Sequence, residues 1–273
     1  MIKSITLPNG RSARFGRHRP VTERPQLRLK NYLRKSLPSP PDAVDYSTLA
    51  MAALTEVYEN DTLGDCVIAA QAHLVGIFTA NANAGSPVIF TDDQIISRYS
   101  AIGGYVPGDP STDNGCSMAT ALYSWQFIGM MPDHPKDAKH KIAGSLSVDP
   151  SNVEEMQSAI WLFENLDIGM DLPDAWVNPS PSASGFTWDV AGPPDPENGH
   201  DVAGFGYNTS GVIFDTWGMI GTLTWAAIAE YAQWANGGEL YTVISHDMIE
   251  RAQQIAPNGF NWQQLLADFA SLT

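Results

Sequence analysis

The sequence predicts an α+β fold built from two lobes, because helix patterns fill its first half and strand patterns its second. Apolar residues recur at helical spacing between about positions 65 and 130, whereas short apolar runs bounded by turn residues follow position 200. Each half is expected to supply one wall of a cleft. With 44% apolar residues in 273 positions, the chain can fill a sizeable core and is a folded protein rather than a disordered one.

The first helix is predicted from about Asp65 to Asn81. A second begins after Thr91, which is a natural N-cap, with Gln94 three residues later as its capping-box partner. Another capping box, from Ser151 to Glu154, opens a later helix. Further helices are expected at 117–130 and 224–234, and an amphipathic segment at 261–269.

Strand patterns dominate the second half of the chain. They are expected at 167–172, 200–207, 212–216 and 239–245. The turn at 208–211 joins two of these strands into a hairpin. Before it, residues 173–199 contain six prolines and read as a long loop. A loop of this length inside a compact domain is usually functional.

Charge is distributed unevenly. Ten of the 15 Lys and Arg residues lie in the first 35 positions, against one acid, although the net charge of the whole chain is −15. This basic arm, residues 1–35, can dock on the acidic body, bind an anionic partner, or remain solvated. We therefore expect an arm at 1–39, a main domain at 40–245 and a C-terminal helical extension at 246–273.

Other function classes are disfavoured by composition. Two cysteines give no disulfide framework, and no Cys/His cluster has metal-ligand spacing, so no cofactor is expected. Residues 1–20 lack the apolar segment of a signal peptide, and no run is long enough to span a bilayer. The expectation is a cytoplasmic protein without membrane attachment.

A possible nucleophile begins the first helix. Cys66 follows Asn60-Asp61-Thr62-Leu63-Gly64-Asp65 and precedes an apolar helical run. At a helix N-terminus the dipole and free N–H groups favour a thiolate and lower its pKa. The alternative interpretation is a small buried residue that packs the helix start. His200 and Asp215, on paired strands, can supply a base and a carboxylate that orients it.

Seven motifs in collinear order resemble the papain-like cysteine peptidases. The segments that carry the resemblance are Pro41–Tyr46, Asn60, Gly64–Cys66, Phe90–Ile95, Asn114–Cys116, His200–Tyr207 and Asp215–Gly218. The resemblance implies a two-lobed papain-like fold, with a helical N-terminal lobe and an antiparallel β-sheet or barrel as the C-terminal lobe. It also implies a thiol hydrolase that acts on peptide or protein substrates.

The resemblance assigns a role to each site residue. Cys66 would attack the acyl carbon, and His200 would take and return the proton. Asp215 would fix the imidazole tautomer, and Trp217 would shield that pair from water. Asn60 would stabilise the oxyanion together with the Cys66 backbone N–H.

Several positions depart from the family pattern. Asn60 is one methylene shorter than the family's glutamine, and Asp215 replaces an asparagine, which would raise the pKa of His200. The negative charge of Asp65 works against a thiolate. The family's disulfide partner for Cys116 is replaced by Leu63, which predicts a free, buried thiol. The resemblance therefore leaves three functions open: a peptidase, an inactive papain-fold structural or binding protein, and a related Cys-His-Asp acyltransferase.

Four other polar residues receive structural interpretations. His73, seven residues after Cys66 on the same helix face, is expected to be a satisfied structural residue. His134 lies near a loop without metal-ligand spacing around it. Asp171 and Asp174 flank a strand end and are expected to form a solvated rim.

Overall fold

In the computed structural model of the chain, the described residues are 2–20, 27–33, 35, 37–82, 85–131, 139–246 and 261–271. The predicted α+β fold is confirmed. Its helices are α1 (Met51–Leu54), α2 (Cys66–Ala82), α3 (Asp92–Gly103), α4 (Met118–Phe127), α5 (Val153–Phe163), α6 (Asp174–Val177), α7 (Trp225–Tyr231) and α8 (Trp262–Ser271). Its strands are β1 (Ser4–Thr6), β2 (Ser12–Arg14), β3 (Val44–Asp45), β4 (Ile142–Ser147), β5 (Leu166–Asp171), β6 (Phe186–Trp188), β7 (Gly199–Tyr207), β8 (Gly211–Thr216), β9 (Met219–Thr224) and β10 (Glu239–Ser245).

Local capping chemistry sets the helix starts. The Thr91 side chain accepts the Gln94 backbone N–H, and the Gln94 side chain accepts the Thr91 N–H, so the predicted capping box is confirmed. At α5 the prediction was wrong by one residue. Asn152, not Ser151, is the N-cap, because its side-chain oxygen reaches the Glu155 N–H.

The main sheet contains eight strands in the described part of the chain. Seven follow the order β4-β10-β5-β7-β8-β9-β6, and β3 pairs with β7. Pairing is antiparallel except between β6 and β9. The expected β7–β8 hairpin is present, but β4 and β9 were missed, and β6 with α6 interrupts the supposed loop at 173–199.

Two apolar cores lie on opposite sides of the sheet's central strands. One gathers α1–α4 against inward residues of β7 and β10, with Trp125 and Phe205 buried at its centre. The other joins α5, α7 and the opposite face of the sheet around Phe163 and Phe214. Because side chains alternate across β7, this single strand contributes to both cores and forms the boundary between the two lobes.

Residues before β3 contact both lobes. The strands β1 and β2 form an antiparallel hairpin, and an extended segment at 15–19 continues from it. Leu7 and Phe15 are buried in the core that contains α5 and α7. At the other end of the chain, α8 places Leu265 in the same core, and Asp268 accepts a 2.7 Å hydrogen bond from the Tyr32 hydroxyl.

Within the described ranges, every helix is too short or too polar to cross a lipid bilayer.

Candidate active site

Cys66 is the first residue of α2, at the boundary between the lobes. The Asp65 carbonyl accepts the N–H groups of Ile68 and Ala69, so the helix begins where the sequence predicts. The thiol is 1% exposed and free. Burial raises its pKa to about 12, and the nearby Asp201 carboxyl acts in the same direction. The expected low thiol pKa is therefore wrong for this state, because desolvation outweighs the helix dipole.

His200 lies at the start of β7 and is fully buried. Its Nε2 is 2.7 Å from the Thr216 hydroxyl, whereas its Nδ1 has no hydrogen-bond partner among the described residues. The Trp217 ring packs on the imidazole with centroids 4.8 Å apart. Burial lowers the His200 pKa to about 3, and the Arg17 charge lowers it further. This lowered pKa favours a neutral ring.

Asp215 does not contact His200 in the way that the sequence suggested. The ladder places Asp215 opposite Ala203, so its side chain emerges on the face of the sheet opposite to that of His200. There its Oδ1 lies 3.1 Å from Nε2 of His73, on α2. Burial raises the Asp215 pKa well above its ordinary value and lowers that of His73 to about 4. Thr216 is thus the hydrogen-bonding partner of His200, and the expected Asp215 contact is corrected.

His73 has the structural role that was expected of it. Its second ring nitrogen, Nδ1, lies 3.1 Å from the Ala53 carbonyl, which holds α1 against α2. His134 lies outside the described residues.

The amide of Asn60 is engaged in local contacts. Its Nδ2 is within 3.3 Å of the Arg14 carbonyl and within 3.2 Å of both the Leu63 carbonyl and Asp65 Oδ1. Asp65 is fully buried, and burial raises its pKa well above the ordinary value, which favours an uncharged carboxyl. One of the three acceptors of the Asn60 amide, the Arg14 carbonyl, belongs to the N-terminal arm.

Consecutive arm residues cover the cysteine and the histidine. The Phe15 ring meets the His200 ring edge-on at 5.6 Å, and it also contacts Trp217 at 6.0 Å. The backbone N–H of Gly16 lies close enough to the Cys66 thiol to favour its ionised form. Both site residues are therefore buried by the arm rather than by the main domain alone.

The arm backbone pairs with both walls of the cleft as an extended peptide. On the helical side, the Cys116 N–H donates to the Gly16 carbonyl at 2.8 Å, and the His18 N–H donates to the Cys116 carbonyl at 3.0 Å. On the sheet side, the N–H groups of Gly16 and Arg17 both donate to the Gly199 carbonyl, at 3.1 and 3.0 Å. An extended chain is thus bound by main-chain groups beside Cys66 and His200.

Three glycines make this close crossing possible. A Cβ on Gly16 would lie 1.8 Å from the Gly64 carbonyl oxygen, and one on Gly115 would lie 1.9 Å from the Gly16 carbonyl oxygen. No side chain fits at either distance. Gly64 is fixed in turn, since its N–H donates to Asp113 Oδ1 at 3.0 Å.

The side chain of Arg17 fills an acidic pocket and is 0% exposed. Nη2 bonds Asp171 Oδ1 at 2.9 Å and the Gly237 carbonyl at 2.6 Å, while Nη1 bonds Glu239 Oε1 at 3.2 Å and Nε reaches the Met170 carbonyl at 3.4 Å. Asp171, expected on a solvated rim, is fully buried, because it ends a strand that the arm covers.

Asp174 differs from Asp171. Its side chain is 73% exposed, as expected, and it accepts a hydrogen bond from Lys3 at 3.2 Å.

A second acid pair lies between the lobes. Asp167 on β5 and Asp201 on β7 are diagonal neighbours, because the ladder pairs Asp167 with Ala203 and Asp201 with Gly169; their side chains are in contact and both are buried. Desolvation and the neighbouring Glu239 raise the pKa of Asp167 to about 7, and that of Asp201 is also well above its ordinary value. Two buried carboxyls in contact are stable when they share a proton.

An open cavity of the described part of the chain lies away from Cys66 and His200. This cavity measures about 520 Å³ and is lined by Arg28, Glu155, Trp234 and Leu240, among others, but by neither Cys66 nor His200. The cleft between the lobes is closed because residues 14–19 occupy it. No group of three or more His, Cys, Asp or Glu side chains is arranged to hold a metal ion in these described ranges.

Sequence reasoning missed several residues of the site. Thr216 was named only as part of a motif, and strand alternation with a fixed register would have placed it on the face of His200. Phe15 and Gly16 interrupt the run of arm arginines, which is the signal that this stretch packs rather than remains solvated.

The fold class follows from three features. These are the two lobes, the cysteine at the start of a buried helix and the histidine on the facing strand. The chain has the papain-like cysteine protease fold, and the predicted resemblance is confirmed at that level. Among solved structures it is similar to xylellain, a cysteine protease from Xylella fastidiosa, with 14% identity and a TM-score of 0.62 over 89% of this chain and 98% of that one.

Two further structures are similar in fold. Procathepsin B S9 from Trypanosoma congolense is 11% identical, with a TM-score of 0.56 over 85% of this chain and 86% of that one. Procathepsin L 3 from the larval midgut of Tenebrio molitor is 12% identical, with a TM-score of 0.55 over 80% and 76%. No protein-family model and no curated protein matches the sequence. At these identities the likeness establishes the fold and not the activity.

Proposed function

We propose that this chain is a cysteine peptidase held in a latent state by its own arm. The observation that carries the proposal is the extended peptide at residues 15–17, bound by main-chain groups directly over Cys66 and His200. A cleft that binds an extended peptide beside a helix-terminal thiol and a buried imidazole has the parts that amide cleavage requires.

The proposed reaction uses both residues once the arm leaves. Cys66 Sγ attacks the peptide carbonyl carbon while His200 Nδ1 accepts the thiol proton. The tetrahedral intermediate collapses to a thioester, and His200 returns the proton to the departing amine. Water then attacks the thioester, with His200 as the base, and releases the acid and the free thiol. Thr216 would fix the tautomer by accepting a hydrogen bond from the Nε2–H group, and the Asn60 amide would help to stabilise the oxyanion once it is released from the Arg14 carbonyl.

The arm accounts for the neutral state of the thiol and imidazole. Removing Phe15 and Gly16 would readmit water to both groups, which lowers the pKa of a thiol and raises that of an imidazole. Removing Arg17 would also remove the positive charge that lowers the pKa of His200. All three changes favour a thiolate–imidazolium pair, so arm release would activate the site.

Self-docking of the basic arm on the acidic body is part of this proposal. Seven ion pairs among the described residues support it, and they join Lys3 to Asp174 and Asp195, Arg11 to Asp61, Arg14 to Asp113, Arg17 to Asp171 and Glu239, and Arg19 to Asp171. The division at residues 39 and 245 remains a prediction.

A second candidate function is an inactive papain-fold binding protein. The thiol pKa of about 12 and the imidazole pKa of about 3 favour it, since neither group is ionised as the fold stands. An acyltransferase would use the same first step and differ only in the acceptor that resolves the thioester.

Intact-mass analysis of the full chain after reaction with a fluorogenic peptide amide distinguishes these functions. A peptidase gives an acyl adduct on Cys66 together with steady release of the amine, and Cys66→Ala abolishes both. His200→Ala should slow acylation sharply, whereas His246→Ala, at an exposed position, serves as the matched control. Consumption of an added amine in place of water would identify an acyltransferase. Absence of the adduct even when the arm is displaced by Gly16→Ala would overturn the catalytic proposal.

A further inference from the structure

The pocket that holds Arg17 is built for a guanidinium group. All five of its N–H donors have acceptors: Asp171, Glu239, Gly237, Met170 and the His18 carbonyl. Four of these acceptors belong to the main domain, at the adjoining ends of β5 and β10. A lysine ammonium, with three donors on a single nitrogen, cannot satisfy this set.

Missing side chains make room for the guanidinium. A Cβ on Gly169 would lie 2.8 Å from Cδ of Arg17, and one on Gly237 would lie 2.5 Å from Nε of the neighbouring Arg19. The main domain thus supplies both the shape of the pocket and its acidic groups. Arg19 also contacts the second oxygen of Asp171.

The pocket has a fixed place relative to the nucleophile. Arg17 directly follows Gly16, whose backbone lies against the Cys66 thiol. The main-chain groups that align this segment, at Cys116 and Gly199, belong to the main domain and would be vacated with the arm. Any extended peptide that pairs with them places one side chain in the pocket, one residue from the peptide unit at the thiol.

We propose that this pocket selects peptide substrates that carry an arginine side chain, and that Arg17 of the arm occupies the place of that substrate arginine. The inference rests on the proposed peptidase function and names its substrate class. The charge balance supplies the selectivity. When the arm leaves, Arg17 and Arg19 leave with it, and Asp171 and Glu239 lose their cations. An arginine side chain of a substrate restores a cation to these two acids, whereas an apolar side chain would bury them without one.

The first test uses the full-length Arg17→Ala protein and N-acetyl-arginine methylamide as the probe. The probe should raise the melting temperature of this variant by about 2–4 °C or more, because it binds only the folded state. The citrulline analogue, which is isosteric but uncharged, should not. Adding Glu239→Gln should remove the effect, whereas Glu197→Gln, an exposed acid, should retain it.

A second measurement needs no variant that could misfold. In the wild-type protein, N-acetyl-arginine methylamide should compete with Arg17 and speed alkylation of Cys66, and the citrulline analogue should have no effect. Peptide amides that differ only at this position should be cleaved about 30-fold or more faster with arginine than with citrulline.

The outcomes separate the two proposals. Arginine-selective binding without any acyl-Cys66 adduct would support the pocket assignment and overturn the peptidase proposal. Acylation of Cys66 and turnover at equal rates for arginine and citrulline peptides would support the peptidase proposal and overturn the pocket assignment. Equal effects of both analogues on melting temperature would also overturn the assignment.

Discussion

A methyl group at Gly16 should open the cleft. The Cβ of Gly16→Ala would lie 1.8 Å from the Gly64 carbonyl oxygen and 2.4 Å from its carbon. These are backbone atoms, and Gly64 is held by its hydrogen bond to Asp113, so the arm must move by roughly an ångström or more. Overpacking of this kind costs about 1–3 kcal/mol.

The free energy by which Gly16→Ala destabilises the docked arm sets the expected increase in Cys66 reactivity. If the Cys66 thiol reacts only when the arm is released, destabilising the docked state by about 1–3 kcal/mol raises the open population roughly 5- to 150-fold. Alkylation of Cys66 should accelerate by the same factor, and its pH dependence should shift toward lower pH, because the thiol regains water.

Iodoacetamide labelling, followed by peptide mass analysis, measures this rate site by site. Ser12→Ala is the matched control, since Ser12 is exposed on the same arm. A folded Gly16→Ala protein with the wild-type labelling rate would refute the reasoning, for then the arm would not limit access to the thiol.

Three other outcomes are expected. In a Gly16→Ala background, Thr216→Val should slow Cys66 labelling by roughly 2- to 12-fold through loss of one hydrogen bond to His200, whereas Asp215→Asn should change it less; the reverse order would restore Asp215 as the orienting group. Asp167→Asn should stabilise the protein more at pH 8 than at pH 5 in thermal melts. The folded pKa of about 7 exceeds the unfolded value of 3.8, so the wild type loses stability as pH rises through this range; a pH-independent difference would contradict this. Leu265→Ala should cost about 2–5 kcal/mol in denaturant unfolding if α8 is integral to the core, and a neutral result would show that it is not.

The sequence was sufficient for features that depend on neighbouring residues. The N-cap at Thr91, the start of α2 at Cys66 and the β7–β8 hairpin follow from capping groups, apolar spacing and turn residues within a few positions. Strands with weaker patterns were missed: β4 and β9 contain Gly, Ser and Thr, and the sheet pairs them through tertiary contacts.

The site depended on register and burial, which no local pattern contains. Which face of β8 carries Asp215 is decided by its alignment with β7, and a shift of one residue would exchange Asp215 with Thr216. The helix dipole at Cys66 was foreseeable, but the raised thiol pKa was not, because it depends on water excluded by Gly16, fifty residues earlier in the chain.

The chain by itself therefore determined its fold class and the resemblance to papain-like peptidases, and it named Cys66 and His200 as the candidate nucleophile and base. Only the tertiary structure decided that the arm crosses the cleft, that Arg17 is buried among acids and that Thr216 contacts His200. The physical reason is that capping and periodicity act over a few residues, whereas desolvation and charge pairing depend on groups that folding brings together from distant positions.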